Sequence, residues 1–396
     1  MILEYIHIDN SREKVKLDLN VHIDNKFHYI SSSNKLKYIK EFIPAFNSGQ
    51  KMVLFDSNHK QLLDFNQKND IHSMKNIEKV NSQLLFFTSG SNGFPIGAFK
   101  TRENILKEVE VLKELLEDYT IKRVVVTVPF VHIYGVIVGL LLPLSLGNIE
   151  LIVKKDFLPY ELLEEASHKD TLVITTPVFI KSLGKLSDKK DLSGNVFICS
   201  TGPLDNDDIT IFENLYQADL IQIFGSTETG GIAYKFSNTN KWKPLNSVTI
   251  TLNDEKLSVV SPFISPYLLN KEILPISQPF TTEDLVDIDD GGFKLLGRSN
   301  KIIKIAGKRI SVLQIEVILE ELEGINTAIV ELVYKKDLFK SEHILITLEA
   351  NNEIHKKDIK AKIVEFYGTI TIPFKVRYVD KINYSAMGKK VLFNHS

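Results

Sequence analysis

LLFFTSGSNGFPIGAFK, residues 84–100, is the stretch of the chain that decides the fold. Its first residues are apolar, aromatic or β-branched and predict a buried strand. Hydroxyls, glycines and a proline follow, and a helical pattern begins near Arg102 or Glu103. Glycines allow consecutive backbone N–H groups to converge on one point, and such a nest binds anionic oxygens. The stretch therefore predicts a strand, a phosphate-binding loop and a helix in succession, with a plain Ser/Gly turn as the alternative.

The loop differs from a Walker loop, in which a lysine directly follows the last glycine of G-x-x-x-x-G-K-[ST]. Here Phe94 follows Gly93, and isoleucine occupies position 96. Lys100 and Arg102 lie just beyond the loop in the sequence. Our hypothesis is that one of these two cations supplies the missing positive charge.

Short apolar runs alternate with amphipathic helical patterns along most of the chain. A helix is predicted over 103–119 because apolar residues recur there at helical spacing: Ile105, Leu106, Val109, Leu112, Leu115 and Leu116. Further strands are predicted at 124–128, 172–177, 195–200 and 219–225. This alternation indicates an α/β fold, with a large N-terminal domain of mixed, largely parallel sheets and flanking helices.

The pattern changes after Trp242. Residues 248–263 alternate with period two around a turn predicted at Asn253 and Asp254, which is typical of an antiparallel hairpin. A last segment begins near 299, with predicted helices at 312–325 and 355–366 and strands at 327–335 and 343–349. We therefore predict an N-terminal domain at 1–298, with a compact N-terminal part and a hairpin subdomain from about 242, and a small α+β domain at 299–396.

Composition and charge argue against several classes of protein. The formal net charge is −2, and no basic bias points to nucleic acid. Residues 124–149 carry no formal charge, but Pro129, His132 and Pro143 interrupt them, so we expect a buried strand and helix rather than a membrane span. The N-terminus lacks the pattern of a signal peptide, which favours the cytoplasm. The single cysteine, Cys199, is expected to be a buried strand residue rather than a nucleophile.

A second strand-and-loop motif, IFGSTETGG at 223–231, places a carboxylate beyond a buried strand. Open α/β sheets bind their ligands at the carboxyl ends of the strands. Glu228 at that position would suit Mg²⁺, a hard cation that takes carboxylate and phosphate oxygens. Taken alone, the motif is also compatible with an ordinary polar turn.

Two further stretches complete a pattern: TTEDLVDIDDGGFKLLGRSNKIIKIAGKRIS at 281–311 and NYSAMGKK at 383–390. With them the chain resembles the adenylate-forming enzymes, the superfamily of acyl- and aryl-CoA synthetases, luciferases and peptide-synthetase adenylation domains. The family's motifs T-S-G-[ST]-T-G-x-P-K-G, P-x-x-H-x-x-G, aromatic-G-x-T-E, T-G-D, G-R-x-D with I-K-x-x-G-x-R-I, and G-K have counterparts at 88–97, 129–135, 224–228, 282–284, 297–310 and 388–389. The resemblance is closest to the short AMP-dependent ligases encoded with aryl polyene and other polyketide-like lipid pathways.

The resemblance implies that ATP activates a small carboxylic acid, aryl or fatty, whose acyl group then passes to a thiol. The phosphates would be bound by Thr88, Ser89, Gly90, Ser91, Asn92 and Gly93. The nucleotide would also meet Thr201, Gly202, Pro203, Phe224, Gly225, Ser226, Asp284 and Arg298, the last two at the ribose. The implied catalytic residues are Thr227 at the α-phosphate, Glu228 with Mg²⁺, His132 beside the acyl group, and Lys389, which neutralises charge on the attacking carboxylate.

The resemblance further implies a small C-terminal domain that moves between the two half-reactions. Asn300 would be its hinge, and Gly307 would lie at the thiol tunnel. The acyl pocket would be lined by His132, Tyr134, Thr201 and Gly225. The thiol would be the phosphopantetheine of an acyl carrier protein, and coenzyme A is the alternative acceptor, used by a free-standing ligase.

Four residues depart from the family's pattern: Asn92 for threonine, Ile96 for lysine, Glu283 for glycine and Asn300 for aspartate. These departures leave open a catalytically inactive module that binds acyl-AMP. Against that interpretation, the chain keeps the implied functional residues Glu228, Asp284, Arg298 and Lys389.

Overall fold

A computed structural model gives the fold of the chain, which divides into two compact units. The described residues are 2–7, 11–15, 24, 26–31, 34–55, 77–88, 96–237, 239, 241–270, 272–299, 302–305, 308–333, 343–367, 373–384 and 390–391. The first unit comprises Met1–Thr251 and Ser258–Phe280, and the second comprises Leu252–Leu257 and Thr281–Ser396. The division falls earlier in the sequence than the predicted domain boundary after Arg298, which remains a proposal.

A nine-stranded sheet forms the core of the first unit. In sheet order its strands are β13 (Lys243–Pro244), β12 (Gly230–Phe236), β11 (Asp219–Ser226), β10 (Val196–Cys199), β9 (Thr171–Thr175), β7 (Arg123–Val126), β8 (Glu150–Lys154), β1 (Ile2–Ile6) and β2 (Arg12–Val15). The neighbours from β11 to β1 pair in parallel, and the pairs at both edges are antiparallel. The inner strands β7, β9 and β10 are buried along their whole length, as apolar parallel strands covered on both faces should be.

A second, six-stranded mixed sheet contains the strand that leads into the predicted phosphate loop. In sheet order its strands are β17 (Glu272–Pro275), β16 (Tyr267–Asn270), β6 (Ile96–Lys100), β5 (Leu84–Thr88), β4 (Met52–Leu54) and β3 (His28–Ile30). β5 and β6 pair antiparallel, with Leu84 opposite Lys100 and Thr88 opposite Ile96. The strand that enters the predicted loop and the strand that follows it are therefore direct neighbours.

Helices alternate with strands along the sequence of the first unit. Their bounds are Lys35–Ser48, Ile77–Lys79 (one 3₁₀ turn), Arg102–Glu114, Ile133–Val136, Leu142–Leu146, Pro159–Ala166, Pro177–Leu183 and Asn206–Tyr216, with a π-helical stretch at Ile137–Leu141. Side chains of the last three helices form one hydrophobic core with the parallel strands, among them Leu162, Ile180, Phe212, Val173 and Phe197. Within the described ranges, no helix combines the length and the apolar character needed to cross a bilayer.

The second unit is built of strands and two helices. Two strands, β14 (Thr249–Asn253) and β15 (Lys256–Val260), belong to it in part, through Leu252–Leu257. Its further strands are β18 (Phe280–Asp289), β19 (Gly292–Arg298), β20 (Ile302–Ile305), β21 (Lys308–Ser311), β22 (Ile325–Val333), β23 (His343–Ala350), β24 (Phe374–Val379), β25 (Asn383–Tyr384) and β26 (Lys390–Val391). The helices Val312–Glu320 and Lys356–Tyr367 share a core with the β22–β23–β24 sheet, which includes Leu319, Val330, Ile346 and Ile363.

The predicted fold class is confirmed, because both large sheets are mixed and the central strands of the larger one are parallel. The predicted burial of Cys199 in a strand is also confirmed. Several details are wrong. The helices predicted over 103–119 and 312–325 end at Glu114 and Glu320. Leu106 is 44% exposed rather than part of the buried helix face, where Glu108 lies instead. The hairpin turn lies at Asp254 and Glu255, one residue later than predicted, and both residues have positive φ.

Lys35 is a buried cation that no sequence pattern indicated. It begins the first long helix, and its Nζ donates to the carbonyl oxygens of Val126 at 3.3 Å and Thr127 at 2.9 Å. The ammonium also lies 5.9 Å from the centre of the Phe130 ring. Burial lowers the pKa of Lys35 to about 7, and the charge of Asp156 opposes this only in part. Lys35 therefore fixes the backbone at the end of β7 at an electrostatic cost.

Stability should depend on pH through this lysine. The unfolded chain keeps the Lys35 proton up to about pH 10.4, whereas the folded chain releases it near pH 7 because its pKa is lowered to about 7. Between these values the unfolded state binds more protons, so the free energy of unfolding rises with pH. Lys35→Met should remove a rise on the order of 4 kcal/mol between pH 7 and pH 10.

Urea denaturation of both proteins at several pH values measures this rise. Lys37→Met on the exposed face of the same helix is the control and should keep the slope of the wild type. Parallel curves for wild type and Lys35→Met would contradict the prediction.

Candidate functional site

The carboxyl ends of β9, β10 and β11 lie side by side at one edge of the large sheet, and several predicted site residues follow them. Thr201 comes after β10, and Phe224, Gly225 and Ser226 are the last residues of β11. Because all three strands are parallel, their ends meet at the same edge, where α/β sheets bind ligands. The sheet therefore brings together residues that are far apart in the sequence.

The turn at 227–229 connects β11 to β12 and carries Thr227 and Glu228. A Cβ on Gly225 would lie 2.2 Å from the carbonyl oxygen of Gly230, so the two strands approach this closely only without a side chain. Gly230 also has a φ of +72°, which L-residues rarely adopt. Gly225 and Gly230 of the G-S-T-E-T-G-G motif are thus required by the geometry. Glu228 lies between them in a tight, partly exposed turn.

Hydroxyl groups close this turn. Thr229 Oγ1 accepts a hydrogen bond from the backbone N–H of Ser226 at 3.1 Å and donates to the carbonyl of Gly230 at 2.9 Å. Thr229 is fully buried, whereas Thr227 and Glu228 are partly exposed. Sequence reasoning missed Thr229, although a hydroxyl three residues after a serine is a known signal for such local side-chain bonds.

A buried lysine and a buried glutamate lie beneath the turn. Lys100 Nζ donates to the carbonyl oxygens of Glu228 at 3.1 Å and Phe263 at 2.6 Å. Glu108 Oε1 accepts from the N–H of Gly231 at 2.7 Å. Burial lowers the pKa of Lys100 to about 8 and raises the pKa of Glu108, and each charge partly offsets the shift of the other.

Lys100 and Arg102, the two cations beyond the predicted phosphate loop, bind to groups inside the fold. Lys100 is fully buried and bound to carbonyls. Arg102 donates to the carbonyl of Phe46, lies 4.5 Å from the centre of the Phe46 ring, and approaches Gln83 Oε1 at 3.3 Å. Both have partners inside the fold, and residues 89–95 of the loop lie outside the described residues, so the hypothesis that one of them supplies the missing positive charge stays a prediction.

Residues 129–135 are held against the ends of β9 and β10. Tyr134 is buried, and its hydroxyl lies 3.1 Å from the carbonyl oxygen of Thr175 and 2.9 Å from that of Ile198. A Cβ on Gly135 would lie 1.9 Å from the carbonyl oxygen of Pro129. His132 immediately precedes the helix that these contacts fix and is partly exposed. The hydroxyl of Tyr134, a predicted pocket residue, is therefore used to anchor this segment.

Thr201 has a strained backbone. Its φ is +87°, which is unusual for a β-branched residue and costs on the order of 1–3 kcal/mol. Gly202 and Pro203, which follow it, are exposed. Such strain is concentrated at ligand-binding sites, where the surrounding structure enforces it.

Phe224 at the end of β11 packs against Trp242, which directly precedes β13. Its ring centre lies 5.4 Å from that of Trp242, and Lys235 Nζ lies 4.9 Å from the Trp242 ring. Trp242 is the one tryptophan of the chain. Its fluorescence therefore reports on ligands that bind at Phe224.

The second unit contains the predicted ribose pair. Asp284 and Arg298 lie directly opposite each other on β18 and β19, with Arg298 Nε 3.4 Å from Asp284 Oδ1. Glu283, which stands where the family has glycine, accepts from Lys256 Nζ at 3.0 Å and from the Ser299 hydroxyl. The hydroxyl of Ser299 lowers the pKa of Glu283, assisted by Lys256.

Several predicted residues lie outside the described residues: Ser89, Gly90, Ser91, Asn92, Gly93, Asn300, Gly307 and Lys389. The backbone of Thr88 is described as the end of β5. The roles of all these residues remain proposals.

Glu228 fits a magnesium ion that arrives with a nucleotide. Among the residues that the structure describes, no group of three histidine, cysteine or carboxylate side chains forms a metal site. Mg²⁺ does not require one, since it commonly binds one or two carboxylates together with substrate phosphates and water. A single, partly exposed carboxylate at a strand end meets that requirement.

Residues 28–264 match the family model described as AMP-binding enzyme. The chain is 24% identical over 320 residues to a 4-coumarate–CoA ligase of Halorhodospira halophila, covering 78% of this chain and 75% of that protein. It is 20% identical over 315 residues to a 3,4-dihydroxybenzoate–[aryl-carrier protein] ligase of Bacillus anthracis, covering 77% and 71%. The fold is similar to that of o-succinylbenzoate CoA synthetase from Bacillus subtilis in complex with its acyl-adenylate, with a TM-score of 0.76, 18% identity and coverage of 90% and 85%.

The two glycines of the 133–146 helical segment should respond differently to the same change. A Cβ at Gly135 would collide with the backbone of Pro129, whereas one at Gly139 would meet only side-chain atoms, the nearest at 3.0 Å on Val126. Gly135→Ala should therefore lower the free energy of unfolding by roughly 2 kcal/mol more than Gly139→Ala. Urea denaturation measures both, and the helix propensity gained from alanine cancels in the comparison. Equal stabilities would contradict the predicted backbone collision.

Proposed function

The chain belongs to the AMP-binding enzyme family, and from that premise we propose that it is an AMP-forming ligase that joins an aryl or fatty acid to the phosphopantetheine thiol of an acyl carrier protein. The observation that carries the proposal is the single sheet edge that gathers Thr201, Phe224 and Glu228. Strained and glycine-dependent backbone at this edge supports a ligand site. The cytoplasm is the proposed compartment.

In the proposed first half-reaction, the carboxylate of the acid attacks the α-phosphorus of ATP, and pyrophosphate leaves. Such a transfer is catalysed mainly by positioning and by stabilising charge. Thr227 is proposed to contact the α-phosphate, and Lys389 to neutralise charge on the attacking carboxylate. Bound Mg²⁺ would neutralise phosphate charge, and Glu228 would hold it. The loop from Thr88 to Gly93 is proposed to bind the phosphates through backbone N–H groups and hydroxyls.

In the proposed second half-reaction, a thiol attacks the carbonyl carbon of the acyl-adenylate, and AMP leaves. His132 and Tyr134, with Thr201 and Gly225, are the proposed lining of the acyl pocket. Asp284 and Arg298 are proposed to bind the ribose, and their cross-strand pairing supports a shared role. Asn300 and Gly307 are the proposed hinge and thiol-tunnel residues.

The acceptor is the least constrained part of the proposal. The similar proteins include one named as a CoA ligase and one named as an aryl-carrier protein ligase. We favour a carrier protein because the sequence resembles the short ligases of polyketide-like lipid pathways. A free-standing CoA ligase is the second candidate, and an inactive module that binds acyl-AMP is the third.

ATP–pyrophosphate exchange with a panel of aryl and fatty acids tests the first half-reaction. We expect exchange that depends on one class of acid and on Mg²⁺. Loading is then followed by mass spectrometry, with a holo carrier protein and coenzyme A offered in competition. Acylation of coenzyme A alone would favour the free-standing ligase, and the absence of exchange with every acid would favour the inactive module.

Lys389→Ala separates the half-reactions. We expect adenylate formation to fall by about 10²–10³-fold, the loss typical of removing one group that stabilises transition-state charge. Thioester formation from supplied acyl-adenylate should be largely retained, because the proposed charge on the attacking carboxylate is then absent. Lys381→Ala, at an exposed lysine of the same segment, is the matched control and should leave both reactions unchanged. Equal losses in the two reactions of Lys389→Ala would contradict this division of roles.

A further inference from the structure

Two buried charged groups bind the turn that carries Glu228 at two points of its backbone. At Glu228 itself, the carbonyl oxygen accepts from Lys100 Nζ at 3.1 Å and from the N–H of Ser265 at 2.8 Å. Three residues later, the N–H of Gly231 donates to Glu108 Oε1 at 2.7 Å. The backbone that leaves Glu228 is thus fixed at both of its ends by side chains from distant parts of the sequence.

The fit beneath the turn leaves no room for displacement. A Cβ on Gly230 would lie 2.6 Å from Glu108 Oε2, so the carboxylate packs directly against this backbone. Lys100 Nζ also donates to the carbonyl oxygen of Phe263 at 2.6 Å, which ties the turn to a third segment. Lys100 is fully buried and Glu108 is 6% exposed, so water does not replace these bonds in the folded chain.

Burying the charges of Lys100 and Glu108 carries a free-energy cost of desolvation. Each ion taken out of water costs several kcal/mol, and an apolar pair of similar volume is often as stable or more stable. The charged groups provide something that apolar side chains lack, namely directional bonds to one carbonyl and one N–H. Their value therefore lies in the position of the turn rather than in the stability of the fold.

We propose that Lys100 and Glu108 are a positioning pair that fixes the main chain between the Glu228 carbonyl and the Gly231 N–H and so aims the Glu228 carboxylate at the magnesium of a bound nucleotide. The inference rests on the proposed function, in which Glu228 meets that ion. Lys100 and Glu108 are not catalytic residues, because both are buried and bound to the turn. Without them Glu228 keeps its chemistry but loses its fixed orientation.

Three variants and a control test this inference. Lys100→Met removes the donor to Glu228, and Glu108→Gln removes the charge while keeping an acceptor for Gly231. Lys100→Met combined with Glu108→Leu removes both charges and leaves no buried ion unpaired, so this variant should fold even if Lys100→Met does not. The matched control is Lys107→Met, at a partly exposed lysine next to Glu108 that pairs with Glu110.

The informative quantity is the free Mg²⁺ concentration needed for half-maximal ATP–pyrophosphate exchange. In Lys100→Met and in the double variant we expect this concentration to rise about tenfold, with the KM for the acid changed by less than about twofold. Glu108→Gln should show a smaller rise because it keeps one hydrogen bond. Lys107→Met should behave as the wild type. Hydrogen exchange of the Gly231 and Ser265 amides should become faster in Lys100→Met and in the double variant, and it should stay slow in Lys107→Met.

Two results would overturn the inference. One is a Mg²⁺ requirement in the double variant within about twofold of the wild type. The other is a loss in which the KM for the acid, the affinity for metal-free ATP and the Mg²⁺ requirement worsen together, since that is the result of a purely structural role. Quenching of Trp242 fluorescence by ATP, with and without Mg²⁺, measures the two nucleotide affinities independently of turnover.

If the proposed ligase function is wrong, the results will differ from those that contradict the positioning role. A wild-type protein that binds ATP more tightly with Mg²⁺ but exchanges no pyrophosphate with any acid would contradict the ligase. The positioning role would then be decided by Trp242 quenching and by the Gly231 amide, which need no acid. A Mg²⁺ effect on ATP affinity that survives in the double variant would still overturn it.

Discussion

The candidate site depends on one close approach of the backbone, that of Gly225 to the carbonyl oxygen of Gly230. Only a residue without a side chain allows it, because a Cβ would lie 2.2 Å from that oxygen. Backbone groups that are buried around the resulting turn must find partners. Lys100, Glu108 and the hydroxyl of Thr229 supply those partners. The requirement for a tight turn at the end of a parallel strand thus explains both the glycines around it and the unusual burial of two charges below it.

Lys35 and Lys100 solve the same physical problem at two places. Each reaches from a neighbouring element to a carbonyl just beyond the end of a strand, at Thr127 and at Glu228. An apolar side chain at either position would remove the lysine's hydrogen bond from that carbonyl, a loss of about 1.5–3 kcal/mol for a bond to a charged group, although the Glu228 carbonyl would keep the bond from the N–H of Ser265. Lysine suits the task because its ammonium is a compact donor on a long apolar stem, and the stem packs in the core while the head binds. Burial lowers the pKa of both lysines for the same reason.

The sequence predicted the elements whose pattern is local, and it failed where the structure depends on distant residues. The strand Leu84–Thr88 was predicted because buried parallel and mixed strands are nearly continuous apolar runs. The helix predicted over 103–119, observed as Arg102–Glu114, was expected to bury Leu106 because charged residues are ordinarily placed on the solvent face. Glu108 contradicts that rule only because Gly231, 123 residues later, supplies its partner. No periodicity within the helix contains this information. The motif order indicated Glu228 as functional, but the support for its backbone became visible only in three dimensions.

Four residues that break local rules lie at, or bind to, the carboxyl ends of the parallel strands. Thr201 has a backbone conformation that β-branched residues avoid, and Lys35, Lys100 and Glu108 are charged residues in the core. Thr201 follows the end of β10, and Lys35, Lys100 and Glu108 bind backbone groups just beyond the ends of β7 and β11. A folded domain is stable by only about 5–15 kcal/mol, so several costs of 1–3 kcal/mol each must be offset elsewhere, here by the long buried strands of the sheet. Buried charges also occur elsewhere, as in the ion pair of Arg123 with Glu165 at the opposite end of β7, so burial of charge does not by itself locate a site. The strained Thr201 and the charged groups bound to the turn of Glu228 are informative because they occur where α/β sheets bind ligands. The energetic argument therefore reaches the same edge of the sheet as the motifs do.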